Sequence, residues 1–169
     1  HIAKISRIAE NEYVWMDRFT IGNLELYHSS SQNAVTLLDV IDKTISPMGG
    51  RLLKRWVALP LKNKEKIISR HEVVSYLLKD SKVLDDVQVN IKRIGDIERL
   101  ISKVATGKVS PREVVQLKNS LEAILPIKEK AQKAKNESLK IIGEQLHDCK
   151  LLREKISTTL KEEAPVLIQ

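Results

Sequence analysis

Apolar residues recur along most of this chain at three- and four-residue spacing, the period of helices that pack along one stripe. The clearest case is Met48, Leu52 and Trp56 with Leu53 and Val57 beside them, which turns Arg51, Lys54 and Arg55 to the opposite side. Ser46 is a good N-cap, Pro47 suits the first helical position, and Pro60 closes the segment. The pair Gly49-Gly50 in the first turn costs roughly 1 kcal/mol of helix propensity per glycine, so a close neighbour is expected there. Trp56 lies on the stripe, so Trp56→Ala is expected to open a core cavity costing roughly 3 to 5 kcal/mol.

The same period continues on both sides. Asp17 can cap a short stripe holding Ile21 and Leu24, and Thr36 a brief helix carrying Leu37, Leu38 and Ile41. Asn63 caps a segment in which Ile67, His71, Val74 and Leu78 share a face, making His71 a partly buried histidine rather than a ligand. After Gly95, Asp96 starts a fresh helix through Ile97, Leu100, Ile101 and Val104. Ser110-Pro111-Arg112-Glu113 is a capping box ahead of Val114, Leu117, Leu121 and Ile124, and Pro126 is expected to end or kink that helix. Leu139, Ile142 and Leu146, then Leu152, Ile156 and Leu160, predict two more helical segments. Only Ile2 to Met16 breaks the pattern, and its spacing predicts a short two-stranded N-terminal β-hairpin. The fold class is all-α, a multi-helix bundle.

Composition narrows the setting. The chain has 169 residues, 42% hydrophobic and 30% charged, enough for one ordinary core or two small ones. No apolar run approaches the roughly 20 residues that span a bilayer, so no membrane is expected. The opening at His1 reads as a piece of something longer, and the single Cys149 fits a reducing, cytoplasmic setting in which the sequon Asn136-Glu137-Ser138 stays unmodified. A net charge of +7 makes an acidic partner plausible, with nucleic acid the first candidate, although 4% aromatic residues leave little to stack on unpaired bases.

Catalytic chemistry is hard to find. Nucleophile elbow, zincin and dinucleotide motifs are absent, and Thr106-Gly107-Lys108-Val109 is a turn lacking both the earlier glycine and the hydroxyl of a phosphate loop. His147-Asp148-Cys149 offers metal-ligand atoms that nothing completes, and Asp85-Asp86 and Glu162-Glu163 read as wet surface. No catalytic, cofactor-binding or metal-binding residue is assigned. The basic run Arg51, Lys54, Arg55, Lys62, Lys64 and Lys66, against the one acid Glu65, could meet phosphates, but a solvated helix back is the commoner meaning.

Three stretches together resemble one family. Asp17-Arg18-Phe19-Thr20-Ile21-Gly22-Asn23-Leu24-Glu25-Leu26 resembles the D-x-x-T-x-x-N-L-E-L entry to the core domain of MutS, the bacterial DNA mismatch-recognition ATPases. The run from Thr36 to Trp56 is similar to its T-L-L-x-V-L-D-x-T-x-T-P-M-G-x-R-x-L-K-R-W segment, with Ser46 in place of the commoner threonine and Gly50 at a variable position. Gly95-Asp96-Ile97-Glu98-Arg99, then Ser110-Pro111-Arg112-Glu113, resemble its G-D-L-E-R and x-P-R-[DE] steps.

The resemblance implies a non-catalytic core and lever fragment, with residues 1–125 as helical core and 126–169 as the start of lever helices leading toward a DNA clamp. Its implied work is mechanical, joining DNA-gripping and mismatch-reading parts to the ATPase. ATP and Mg²⁺ belong to the parent, and no cofactor to this piece. The implied partners are other domains of the same chain, mismatched duplex DNA through the parent, a second copy in a homodimer, and MutL. Ser46, Pro47, Gly49, Trp56, Asp96 and Arg99 become the expected structural joint, and Arg51, Lys54 and Arg55 candidate contacts to a DNA backbone. A helical protein-interaction scaffold and an autonomous basic-face DNA-binding module are the alternatives.

Overall fold

The computed structural model describes residues 11–29, 31 and 33–165. Within them lie α1 (Arg18–Asn23), α2 (Leu37–Ile41), α3 (Pro47–Ala58), α4 (Lys64–Lys79), α5 (Ser81–Arg93), α6 (Ile97–Ala105), α7 (Pro111–Lys133), α8 (Glu137–Gln145) and α9 (Lys150–Thr159). The all-helical expectation holds among the described residues. Most of the expected N-terminal hairpin lies outside the described residues; within residues 11–16 no strand is formed, and Tyr13 makes an isolated antiparallel bridge with Leu61. Val14 N–H donates to Pro60 O at 2.7 Å and Lys62 N–H to Glu12 O at 2.9 Å, so the segment spends its backbone hydrogen bonds on a distant part of the chain.

The chain divides into two compact units, His1–Thr44 with Gly50–Arg70, and Ile45–Gly49 with His71–Gln169. In the first, α1 begins where Asp17 accepts from Thr20 N–H at 2.7 Å. The start of α2 is better satisfied than its five residues suggest. Thr36 and Asp39 form a reciprocal capping box, and Leu37 and Leu38 N–H groups donate to the Glu25 and Leu26 carbonyls at 3.2 and 3.1 Å. Glu25 takes a positive φ of 49° to present its carbonyl, while Leu26 and Thr36 are buried beside this joint.

The second unit is built around α7, against which α5, α6, α8 and α9 all pack. That arrangement explains why α7 buries residues on more than one face, including Val115, Leu117, Ser120, Leu121, Ala123 and Ala131. Leu100 of α6 joins Leu117 and Leu121 in a core cluster, flanked by Ile97, Ile124 and Cys149. The capping box at its start is as expected, with Pro111 at the first position and Glu113 reaching back to Ser110. Pro126 neither ends nor breaks the helix, which runs on to Lys133. An interior proline costs about 3 kcal/mol, so packing of α7 against its neighbours overrides the local penalty.

One helix start is not among those expected: Asp80 accepts from Val83 N–H at 3.1 Å and separates α5 from α4. Two expectations change. His71 is exposed and Val74 and Leu78 are 54% and 70% exposed, so the stripe read along α4 is not its packed side. Trp56 is 40% exposed, so truncating it removes a partly open contact and not a core plug.

Candidate functional site

The basic helix α3 is held from both ends of its first turn. Gly49 N–H donates to Ser46 Oγ at 3.1 Å, and Pro47 opens the helix as its fixed φ favours. A methyl group on Gly50 would come within 3.3 Å of Thr44 Oγ1 and 3.6 Å of Asp42 Oδ2, so the close neighbour expected at the glycine pair is the turn just before the helix. That turn is itself closed by Asp42, which accepts from Thr44 N–H at 3.0 Å and Thr44 Oγ1 at 2.7 Å; these bonds hold the Asp42 carboxyl below its usual range.

The three cations on the back of α3 have different surroundings. Tyr27 donates its hydroxyl to Lys54 O at 2.6 Å while Lys54 Nζ sits 5.2 Å from the Tyr27 ring centroid. Burial pushes the Tyr27 hydroxyl pKa up. Arg51 is exposed on the same helix. Arg55 instead turns toward Trp56: both line a cavity of about 210 Å³ with Tyr13, Leu52, Leu59 and Arg70. Arg70 sits over the Trp56 ring, its Cζ 3.6 Å from the centroid. A neighbouring cleft of about 530 Å³ shares Tyr13 and Arg70 and adds Leu61, Glu65, Lys66 and Ser69. Lys66 is not a free cation, because its Nζ binds Glu12 Oε1 at 2.8 Å and that bond raises its pKa.

Asp96 and Arg99, the other expected joint residues, come together in the second unit. Asp96 accepts from Arg99 N–H at 3.2 Å to start α6, and both line a cavity of about 220 Å³ with Leu100, Lys103, Glu113 and Gln116. Glu113 accepts from Ser110 N–H at 2.9 Å and pairs with Lys103, tying the end of α6 to the start of α7. The Lys103 bond first, then that from Ser110, pull the Glu113 pKa from 4.5 down to about 2. A carboxylate depressed in this way adds stability above its unfolded value and loses it as pH falls. Stability is therefore expected to drop between about pH 4.5 and 2, and Glu113→Gln to remove that part of the slope. Thermal midpoints of both chains across this window check it; equal slopes would exclude the pair as the source.

Several organising residues have no motif to announce them. Ser120 is 1% exposed and fully used: it accepts from Gly95 N–H at 3.0 Å and donates to Gln116 O at 2.8 Å, fixing the corner before α6 onto α7. Its only signal is a small polar residue set into the stripe of Leu117, Leu121 and Ile124. Lys118 is buried with an ion pair of 3.5 Å to exposed Glu162, and Arg112 Nε donates to Ala164 O at 3.3 Å, so α7 also anchors the segment after α9. Among the described residues no three histidine, cysteine or acidic side chains gather where a metal could bind. No helix there is long and apolar enough to cross a membrane.

The family model described as MutS domain III matches residues 19–169. The chain belongs to the MutS domain III family. DNA mismatch repair protein MutS of Christiangramia forsetii is 69% identical over 100% of this chain and 19% of its own length. MutS of Flavobacterium psychrophilum is 66% identical over 99% of this chain and 19% of its own length, and MutS of Bacteroides fragilis 51% over 99% and 20%. The chain thus spans about a fifth of the length of these MutS relatives. The match takes in the stretches of the resemblance from Phe19 to Glu113 and extends through residues 127–169.

Proposed function

We propose that this chain is the core and the beginning of the lever of a DNA mismatch-recognition ATPase, and that it couples DNA-gripping and mismatch-reading domains to ATP turnover without catalysing a reaction itself. The observation that supports this most is α7, a helix of 23 residues with four others packed against it. At 1.5 Å per residue it is a rod of about 35 Å. It runs from the proposed core, residues 1–125, into the proposed lever, 126–169, without a break at Pro126. A stiff element crossing that boundary can pass a displacement on, where a hinge would absorb it. Ser46, Pro47 and Gly49, which open α3, Trp56 near its end, and Asp96 and Arg99, which open α6, act as structural joints. ATP and Mg²⁺ act elsewhere in the longer protein, which works in the cytoplasm as a homodimer with MutL as partner.

Inserting two glycines between Leu125 and Pro126 of the full-length gene product tests the reading. ATP hydrolysis and mismatched-DNA binding are each expected to persist, while the effect of one on the other falls by a large part of a coupling of about 5- to 150-fold. Coupling that survives the insertion would exclude a rigid lever.

The back of α3 supports a weaker role toward DNA through Arg51, Lys54 and Arg55. Titrating the isolated chain with duplex DNA at two salt concentrations should give weak, sequence-blind and salt-sensitive binding at most. Tight binding that separates mismatched from matched duplex would favour an autonomous DNA-binding module instead.

A further inference from the structure

A lysine is buried on the central rod, and the group that meets it comes from the segment after the last helix. Lys118 of α7 is 6% exposed, on the same helix as the buried Val115, Leu117 and Leu121. Its Nζ lies 3.5 Å from Glu162 Oε1, on a side chain that is itself 89% exposed. Glu162 belongs to a stretch that leaves α9 in extended form at Leu160, turns at Glu162-Glu163 and buries Ala164. Nearer the start of α7, Arg112 Nε donates to Ala164 O at 3.3 Å. The stretch is thus laid against α7 by two polar ties and the burial of one small side chain.

Neither tie is strong. Charge-assisted N–H···O bonds close to about 2.7–2.9 Å, so the contact at 3.5 Å is loose, and its carboxylate stays in water, where an ion pair contributes little. Lys118 meanwhile has lost most of its hydration, which a pair of this kind does not offset. An apolar residue at this position would hold the stretch down more firmly. We propose that residues 160–165 are a releasable strap on α7, and that Lys118 is what makes it releasable. Closed, the strap keeps the ammonium out of water against Glu162; open, the ammonium is hydrated while Leu100, Leu117 and Leu121 stay packed. The buried charge opposes closure, so the chain after α9 has an attached and a detached position on the rod. This does not depend on the coupling function: the strap can open whether or not α7 transmits a displacement.

Trypsin cleavage after Lys161, exposed within the strap, reads the opening in the purified full-length gene product, with the new end at Lys161 followed by mass spectrometry. The cut is expected at urea concentrations too low to speed amide exchange at Leu117 and Leu121. Lys118→Met keeps the bulk, removes the charge and is expected to slow the cut roughly tenfold. Raising the salt concentration, with trypsin activity corrected on a short peptide, should speed the wild-type cut about two- to fivefold and leave Lys118→Met unchanged. Acylation of the Lys118 amine in the unaltered protein is the second measure and needs no variant. It should be slower than at Lys150, whose side chain is 69% exposed, and should rise with urea less steeply than exchange at Leu117. Cleavage and acylation that begin only with exchange at Leu117 and Leu121 place the opening in global unfolding and overturn the strap. A Lys118→Met chain cut as fast as wild type, or faster, overturns the role of Lys118.

Discussion

Leu121→Ala is expected to cost about 3 kcal/mol and to lower the thermal midpoint by roughly 6 to 12 °C. Leu121 is 7% exposed and packs with Leu100 and Leu117, so truncation removes apolar area from water and leaves a cavity where α6 meets α7. The backbone there has little freedom to collapse, because Ser120, one residue away, is hydrogen-bonded both to Gly95 and within α7. Trp56→Ala is the control that separates a core from a surface anchor. Trp56 is 40% exposed and the Arg70 guanidinium sits over its ring, so its loss removes partial burial and one cation–π contact, together about 1 to 2 kcal/mol. Urea midpoints of the two variants decide the matter. If Trp56→Ala costs as much as Leu121→Ala, the stripe of α3 is more deeply buried than the geometry allows.

That contrast marks how far the sequence could be read. Most helix starts are legible because the chemistry is local: Asp17, Thr36, Ser46, Asn63, Asp96 and Ser110 each bond to a backbone N–H three residues on. Asp80 and Asn136 do the same without being read as caps, because apolar residues keep helical period across the first and the second stands in a sequon. Period gives the side of a helix that is apolar and says nothing of what covers it, which is why Trp56 and the His71 stripe are more open than expected. For a related reason Pro126 does not end α7, since its penalty is local and the packing that offsets it is not. The pairing of Tyr13 with Leu61 joins segments with no pattern in common. In the candidate site, the basic group on α3 could be read from spacing alone. The placement of Arg70 on Trp56 and of Arg55 in the same cavity could not, because it requires a second helix.

The last turn of α8 shows the same division between propensity and packing, and Gly143 puts a magnitude on it. By helix propensity, replacing a helical glycine with alanine should gain up to roughly 1 kcal/mol. Here a methyl group would lie 2.8 Å from Ala131 Cβ and 2.9 Å from Gln132 N, a contact with backbone that rotamers cannot relieve. Overpacking of this kind typically costs 1 to 3 kcal/mol, so Gly143→Ala is expected to be destabilising by about 1 to 2 kcal/mol despite the propensity gain. Gly143→Leu, equally helix-favouring and too large for the gap, should exceed 3 kcal/mol or displace α8 from α7 altogether. Gly22→Ala in α1 provides the reference, since an added methyl there meets nothing within 4 Å and should be neutral or stabilising. Amide exchange resolves the mechanism: residues of α8 should lose protection in Gly143→Leu while the Leu100, Leu117 and Leu121 cluster keeps it. A stabilising Gly143→Ala would mean that α8 does not approach α7 at Ala131, and that the small residues Ala131 and Gly143 are not what seats this helix on the central rod.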